Sequence, residues 1–175
     1  MPPAIHNKIQ QTVLKLLHHP KPHCRLNAIA LMAHYGSDPE IRSALWNMYE
    51  DSDARVRKSA FTATMTILYG GAKLGMESYQ SAVVALSDDN EDVRIEACKL
   101  IWLMANTHSH LSIQRGATPE KIVDHGFKQI CNMVSDISPK VRGKACQILG
   151  SLRGVSRPLL MQSLSKKLIV AQEAF

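Results

Sequence analysis

One pattern recurs in this 175-residue chain and restricts its fold more than any other feature: Asp-x4-Val-Arg-x2-Ala. Three copies are complete, and their aspartates and arginines are Asp51 with Arg57, Asp88 with Arg94, and Asp136 with Arg142. A degenerate fourth copy retains Arg25 and Ala28. Successive arginines are 32, 37 and 48 residues apart. Repeats of this length are typical of chains that stack one supersecondary unit on the next.

Each copy opens an amphipathic segment with the periodicity of a helix. Apolar or small residues return at offsets 0, 4, 7, 8 and 11, which places them on one helical face. The predicted buried positions are Cys24, Ala28, Leu31, Met32 and Tyr35; Val56, Ala60, Ala63, Thr64 and Ile67; Val93, Ala97, Leu100, Ile101 and Met104; and Val141, Ala145, Ile148, Leu149 and Leu152. A second amphipathic segment precedes each of these. The predicted unit is therefore a pair of helices joined by a turn that carries the aspartate.

We predict an all-α protein from this unit: an α-solenoid, or superhelix of HEAT or armadillo type, with about four helix pairs and one unpaired C-terminal helix. Aromatic residues make up only 5% of the chain, which favours helices over strands. The predicted repeats cover residues 5–35, 38–70, 75–106 and 118–153 of a single domain spanning 1–175, and the lone helix covers 156–170. Thr118-Pro119 is a predicted helix start, and the polar segment 106–117 is a predicted long loop.

The spacing of aspartate and arginine is the same in all three complete copies. It suggests a series of ion pairs, or ladder, between repeats. The carboxylate of each turn aspartate is placed to accept backbone N–H groups at the start of the second helix. The arginines Arg57, Arg94 and Arg142 are then predicted to bridge to the aspartate of an adjacent repeat, because bidentate pairing suits a repeating interface. The alternative interpretation is that each arginine is merely solvated.

The positive charge of the chain is concentrated at its C-terminal end. Residues 1–137 hold 14 basic and 14 acidic side chains, whereas residues 138–175 hold 7 basic side chains and one acidic side chain. The candidate anion or partner surface consists of Lys140, Lys144, Arg153, Arg157, Lys166 and Lys167. Such a surface attracts RNA, DNA, an inositol polyphosphate or an acidic protein. The alternative is ordinary solvated charge, and no aromatic residues are interleaved for base stacking.

The sequence contains no motif that predicts an enzyme, a cofactor site or a metal site. Glycine-rich phosphate loops and the G-x-S-x-G nucleophile motif are absent. The densest group of metal-ligand side chains, His18, His19, His23 and Cys24, is interrupted by two prolines. The four cysteines form no C-x-x-C pair and are predicted to be reduced, buried thiols: Cys24, Cys98, Cys131 and Cys146. We also expect an intracellular protein without a secretory signal or a membrane span.

The repeat unit resembles the HEAT repeat, and three stretches resemble the amino-terminal HEAT region of the Integrator subunit 4 family. These stretches are Leu86-Ser-Asp-Asp89 with Val93-Arg94 and Leu100-Ile101-Trp102; Phe127 through Asp136; and Leu149-Gly150-Ser151 leading to Lys166-Lys167-Leu168. The resemblance is strongest over residues 50–170. It implies an α-solenoid scaffold without catalytic residues of its own.

The same resemblance implies a cellular location and a set of protein partners. Members of that family are nuclear and act in the 3′-end processing of small nuclear RNAs and in attenuation of transcription by RNA polymerase II. They hold the heterodimer of Integrator subunits 9 and 11, which carries the endonuclease. The expected function is therefore protein docking, and the alternative is nucleic-acid or polyanion binding through the basic C-terminal region.

Overall fold

A computed structural model describes residues 3–33, 38–72, 75–115 and 118–164, which form nine α-helices and one β-hairpin. The helices are α1 (Pro3–Leu16), α2 (Pro22–Met32), α3 (Pro39–Asn47), α4 (Ala54–Tyr69), α5 (Met76–Ala85), α6 (Glu91–Thr107), α7 (Ile122–Asn132), α8 (Pro139–Leu149) and α9 (Arg157–Leu164). Single 3-10 turns, Met48–Glu50 and Met133–Ser135, follow α3 and α7.

The helices are arranged as consecutive pairs, which confirms the predicted solenoid. The pairs are α1 with α2, α3 with α4, α5 with α6, and α7 with α8, and α9 follows as a single helix. The second helices of the pairs pack on one another in sequence, α2 on α4, α4 on α6, and α6 on α8, whereas α1 and α3 make fewer contacts. The second helices therefore form the tightly packed side of the array.

The predicted helical face supplies most of the core. In the second and third copies every predicted position is buried, and the valines of the three complete copies, Val56, Val93 and Val141, are fully buried. The single polar member, Thr64, is satisfied because its hydroxyl donates to the Ala60 carbonyl at 2.9 Å and also pairs with the Tyr49 hydroxyl. Burial of this hydroxyl therefore does not leave it without hydrogen bonds.

Some predicted core positions in the first and last pairs are wrong. Leu31 is 45% exposed because α2 has no neighbouring second helix on its far side within the described residues. Cys146 on α8 is exposed rather than buried, and Leu149 and Leu152 are only half-buried. The predicted position Tyr35 lies outside the described residues.

A β-hairpin begins in the segment 106–117, which was predicted to be a loop, and continues into the predicted helix start. Strand β1 (Ser112–Arg115) pairs antiparallel with β2 (Thr118–Lys121), and Ser112 lies opposite Lys121. Leu111 and Ile113 pack against the core and alternate with polar residues. This alternation is the two-residue period of a strand. Thr118-Pro119 is consequently part of β2, and α7 begins only at Ile122, so the helix start predicted there is wrong.

Candidate protein-docking site

Bidentate arginine–aspartate pairs connect each helix pair to the next. The Nε and Nη2 atoms of Arg25, Arg57 and Arg94 donate to both carboxylate oxygens of Asp51, Asp88 and Asp136, respectively, at 2.7–2.8 Å. Arg57 additionally donates to Asp89 at 2.6 Å. These three pairs, called the ladder below, run from the first to the fourth helix pair.

The turns hold both partners of the ladder in position. Each turn aspartate accepts the backbone N–H two residues later: Asp53 to Asp51 at 2.9 Å, Asn90 to Asp88 at 2.8 Å, and Ser138 to Asp136 at 2.7 Å. Each ladder arginine uses its remaining nitrogen, Nη1, to donate to backbone carbonyls of its own turn at 2.8–3.5 Å. Hydrogen bonds within each turn therefore orient the ladder side chains for pairing across the repeat boundary.

Burial makes the ladder pairs sensitive to loss of either partner. The side chains of Arg94 and Asp136 are 9% and 7% exposed. The hydrogen bonds from Arg94 lower the pKa of Asp136 and, reciprocally, the pKa of Arg94 is raised. Burial of Asp88 raises its pKa, but hydrogen bonds from Arg57 and from the Asn90 N–H outweigh that effect, so the pKa of Asp88 is lowered.

The sequence prediction omitted one arginine of the ladder, Arg25. It also included Arg142, which pairs with no aspartate in the described part of the chain. Arg25 was not predicted because its own turn carries His19 where later turns carry aspartate, although its alignment with Arg57 was a usable signal. Arg142 donates through Nη1 to the carbonyls of Asp136 and Ile137 at 3.0 and 3.1 Å. Within the described part of the chain, no carboxylate pairs with Arg142.

The predicted basic surface is partly neutralised. Lys140 forms an ion pair with Glu91 of the third helix pair, and Lys144 donates to the side-chain carbonyl of Gln147 at 2.7 Å. Arg153 and Arg157 are exposed beyond α8 and at the start of α9. Lys166 and Lys167 lie outside the described residues. Contacts with neighbouring side chains thus reduce the charge that Lys140 presents to an anion.

A groove follows the packed side of the array, along α6. A cavity of about 340 Å³ between α4 and α6 is lined by Thr62, Met65, Thr66, Tyr69, Glu96, Lys99 and Trp102. A second cavity, of about 490 Å³, is lined by Trp102, Asn106, Ser109, Ser151, Arg153 and Gly154. Tyr69 is 69% exposed at the rim, and the indole N–H of Trp102 is buried without a hydrogen-bond partner. The groove therefore combines two aromatic side chains, Tyr69 and Trp102, with a lining that is otherwise mostly polar or charged.

The described residues also bear on the metal and membrane predictions. They contain no group of three or more histidine, cysteine, aspartate or glutamate side chains arranged to hold a metal ion. Burial raises the pKa of the Cys98 thiol to about 12, which keeps it protonated and a poor nucleophile at neutral pH. None of the helices in these ranges combines the length and the apolar character needed to cross a bilayer.

Curated proteins similar in sequence share one name. The chain is 36% identical over 170 residues to the Integrator complex subunit 4 homolog of Dictyostelium discoideum, 37% identical over 132 residues to Integrator complex subunit 4 of Homo sapiens, and 33% identical over 153 residues to that of Drosophila melanogaster. These matches cover 94%, 74% and 84% of the chain but only 14–15% of the relatives. No family model matches the chain.

Solved structures with a similar fold are repeat proteins and engineered proteins. A designed armadillo repeat protein in complex with a (KR)4 peptide matches with a TM-score of 0.55 at 16% identity, covering 95% of this chain and 77% of that one. An engineered protein matches with a TM-score of 0.55 at 14% identity, covering 94% and 68%. The chain is therefore an α-solenoid of HEAT or armadillo type that resembles, over most of its own length, one segment of Integrator complex subunit 4.

Proposed function

We propose that this chain is a non-catalytic scaffold module of an Integrator-type complex, which docks other protein subunits on its solenoid surface. The observation that carries this proposal is the 36% identity to an Integrator complex subunit 4 homolog across 94% of the chain. Because the chain spans only 14% of that relative, we assign it the docking role of a segment.

The geometry supports a scaffold role. Three largely buried ion pairs couple the successive helix pairs, and the second helices pack continuously from α2 to α8. An array of this kind presents an extended surface on which a partner docks. The groove along α6, with Tyr69 and Trp102, offers the aromatic anchors that concentrate binding energy in protein interfaces.

A more specific proposal concerns the protein partners and the cellular location. By resemblance to Integrator subunit 4, we propose that the partners are Integrator subunits 9 and 11 and that the complex is nuclear. Its role is then to support the 3′-end processing of small nuclear RNAs and attenuation of transcription by RNA polymerase II. The endonuclease chemistry belongs to the partners, and this chain contributes their placement.

The test is capture of purified Integrator subunits 9 and 11 by the immobilised chain at about 50 and 200 mM salt, with and without nuclease. Phosphate-mediated binding weakens steeply over that range, whereas docking on apolar surface does not. We expect capture that survives both high salt and nuclease. The matched control is Arg157→Glu, which reverses an exposed positive charge outside the groove and is expected to leave capture intact.

Two results would contradict the scaffold proposal. Capture that requires RNA and disappears in Arg157→Glu would move the function to polyanion binding at the basic end. Absence of capture by a folded chain, verified by its helical circular dichroism, would exclude these two subunits as partners.

A further inference from the structure

The guanidinium of Arg153 is an exception among the basic groups beside the packed side of the array. Every lysine and arginine of α4, α6 and α8 donates to a side-chain or backbone oxygen: Arg55, Arg57, Lys58, Arg94, Lys99, Lys140, Arg142 and Lys144. Within the described residues, the Arg153 side chain has no such contact, and only its backbone N–H is engaged. The exposed charge of Arg153 is therefore available to a ligand.

Hydrogen bonds hold the segment that carries Arg153 against α6 and α7. The Arg153 N–H donates to Oδ1 of Asn106 at 3.3 Å, and the Ser156 N–H donates to Oδ1 of Asp124 at 2.8 Å. These contacts join residues that are 47 and 32 positions apart in sequence. They place Arg153 at the end of α6, where it lines the cavity of about 490 Å³ described above. We call this space the Arg153 cavity.

The described residues that line the Arg153 cavity offer hydrogen-bond donors and include no carboxylate. Because Oδ1 of Asn106 accepts the Arg153 N–H, the Nδ2 amino group of Asn106 is left as an unpaired donor among the described residues. The indole N–H of Trp102, another lining residue, is buried and also lacks an acceptor there. Unpaired donors around one positive charge favour a ligand that is negatively charged and accepts hydrogen bonds.

The amount of charge favours a carboxylate over a phosphate. Arg153 is the one charged residue in the described lining of the cavity, and a guanidinium fork matches the two oxygens of a carboxylate. Asn106 and Ser151 belong to the C-terminal ends of α6 and α8, where the partial negative charge of a helix opposes a dianion. Nucleic acids, which carry a phosphate on every nucleotide, are bound by several cations rather than by one.

The adjoining cavity fits an apolar side chain of the same ligand. Trp102 lines both cavities, so they lie next to each other along α6. In the cavity of about 340 Å³, Tyr69 is 69% exposed and Met65 supplies further apolar surface. The charged residues of this cavity, Glu96 and Lys99, pair with each other at 2.7 Å and largely cancel. A peptide with an acidic residue beside an apolar one therefore matches both cavities.

We propose that the groove along α6 binds an acidic segment of a docked protein. An aspartate or glutamate carboxylate of the segment pairs with the Arg153 guanidinium, and a neighbouring apolar side chain packs against Tyr69 and Trp102. The inference rests on the docking role proposed above and names the chemistry of the partner at that site. It requires no particular Integrator subunit, because the charge and lining of the two cavities carry it.

The probe is a fluorescently labelled random copolymer of glutamate and tyrosine, which presents carboxylates beside aromatic side chains at every short spacing. Fluorescence polarisation measures its binding to the full chain at about 150 mM salt. We expect saturable binding that weakens about tenfold in Arg153→Gln, because the charge-assisted pair is lost. The matched control is Arg157→Gln, which alters an exposed arginine outside both cavities and is expected to bind as the unmodified chain does.

A second pair of variants tests the apolar contact. Tyr69→Ala is expected to weaken binding of the copolymer by about tenfold and to leave the weaker binding of polyglutamate unchanged, because only the copolymer carries aromatic side chains. Val84→Ala is the control, since Val84 is 76% exposed but lines neither cavity, and it is expected to change nothing. Helical circular dichroism of every variant verifies folding.

Three results would overturn the inference. The first is no binding of the copolymer, and the second is equal weakening by Arg153→Gln and Arg157→Gln, which would indicate general charge attraction. The third is tighter, Arg153-dependent binding of polyuridylate, which would make a nucleic acid the occupant.

The same probe separates this inference from the proposed partners. Copolymer binding without capture of Integrator subunits 9 and 11 would contradict the proposed partners alone. Capture of those subunits that Arg153→Gln leaves unchanged, by a chain that does not bind the copolymer, would contradict the acidic segment alone.

Discussion

The ladder shows how one arginine–aspartate pair at each boundary joins helix pairs whose residues are far apart in sequence. Arg94 pairs with Asp136, 42 residues later, through two bonds of 2.8 Å each. Burial of two opposite charges has a desolvation cost that their attraction offsets only when the geometry is good. Removing one partner leaves the other charge buried and unpaired, and this is more costly than losing an exposed ion pair.

We predict that Arg94→Gln lowers the free energy of unfolding by about 3–5 kcal/mol, because it leaves Asp136 buried without its partner. Urea denaturation followed by circular dichroism measures this change. Arg55→Gln is the matched control, since the Arg55 side chain is 69% exposed, and it should change stability far less than Arg94→Gln does. Equal effects of the two substitutions would show that the ladder does not stabilise the fold.

The ladder also predicts a pH dependence of stability. The folded-state pKa values of Asp88 and Asp136 are lowered, so the unfolded chain takes up protons at these sites before the folded chain does. Their contribution is fully present above the unfolded pKa of about 4 and is lost as the pH falls through the lower folded values. Urea midpoints measured from pH 6 to pH 2 should fall more steeply for the unmodified chain than for Asp136→Asn. Parallel curves would contradict this assignment.

At the scale of elements, the helices were predictable and the hairpin was not. The offsets 0, 4, 7, 8 and 11 predicted the second helices because a repeated apolar face leaves one way to stack them. The hairpin after α6 was missed because only Leu111 and Ile113 alternate there, which is too short a signal to distinguish from a loop. The helix start predicted at Thr118-Pro119 failed for the same reason, since proline also fits an edge strand.

Replacing glycine by alanine is predicted to change stability in opposite directions at two positions. Gly71, just after α4, has φ of +85°, which disfavours any residue with a Cβ, so Gly71→Ala should destabilise by about 1 kcal/mol. Gly143 lies inside α8 with nothing within 4 Å of an added Cβ, so Gly143→Ala should stabilise by about 0.5–1 kcal/mol. Thermal unfolding of both variants checks the pair. Shifts of the same sign would contradict the helix boundaries described above.

At the scale of the whole molecule, the sequence predicted the solenoid but not the properties of its two ends. Interior pairs obey the repeat pattern because they have neighbours on both sides. Leu31 and Cys146 depart from it because the described neighbours cover only one side of α2 and of α8. Burial at an end depends on what packs there, and a repeat pattern carries no information about that. The groove along α6 was likewise missed, because exposed residues such as Tyr69 follow no periodicity.

The most direct test of the scaffold account is a segment exchange in human Integrator complex subunit 4. The 132 residues that this chain matches at 37% identity are replaced by the corresponding residues of the chain, and the chimera is expressed in human cells. We predict that the purified chimera carries the other Integrator subunits in the same proportions as the natural protein. A chimera that is folded and expressed at normal levels but recovered without those subunits would contradict the account.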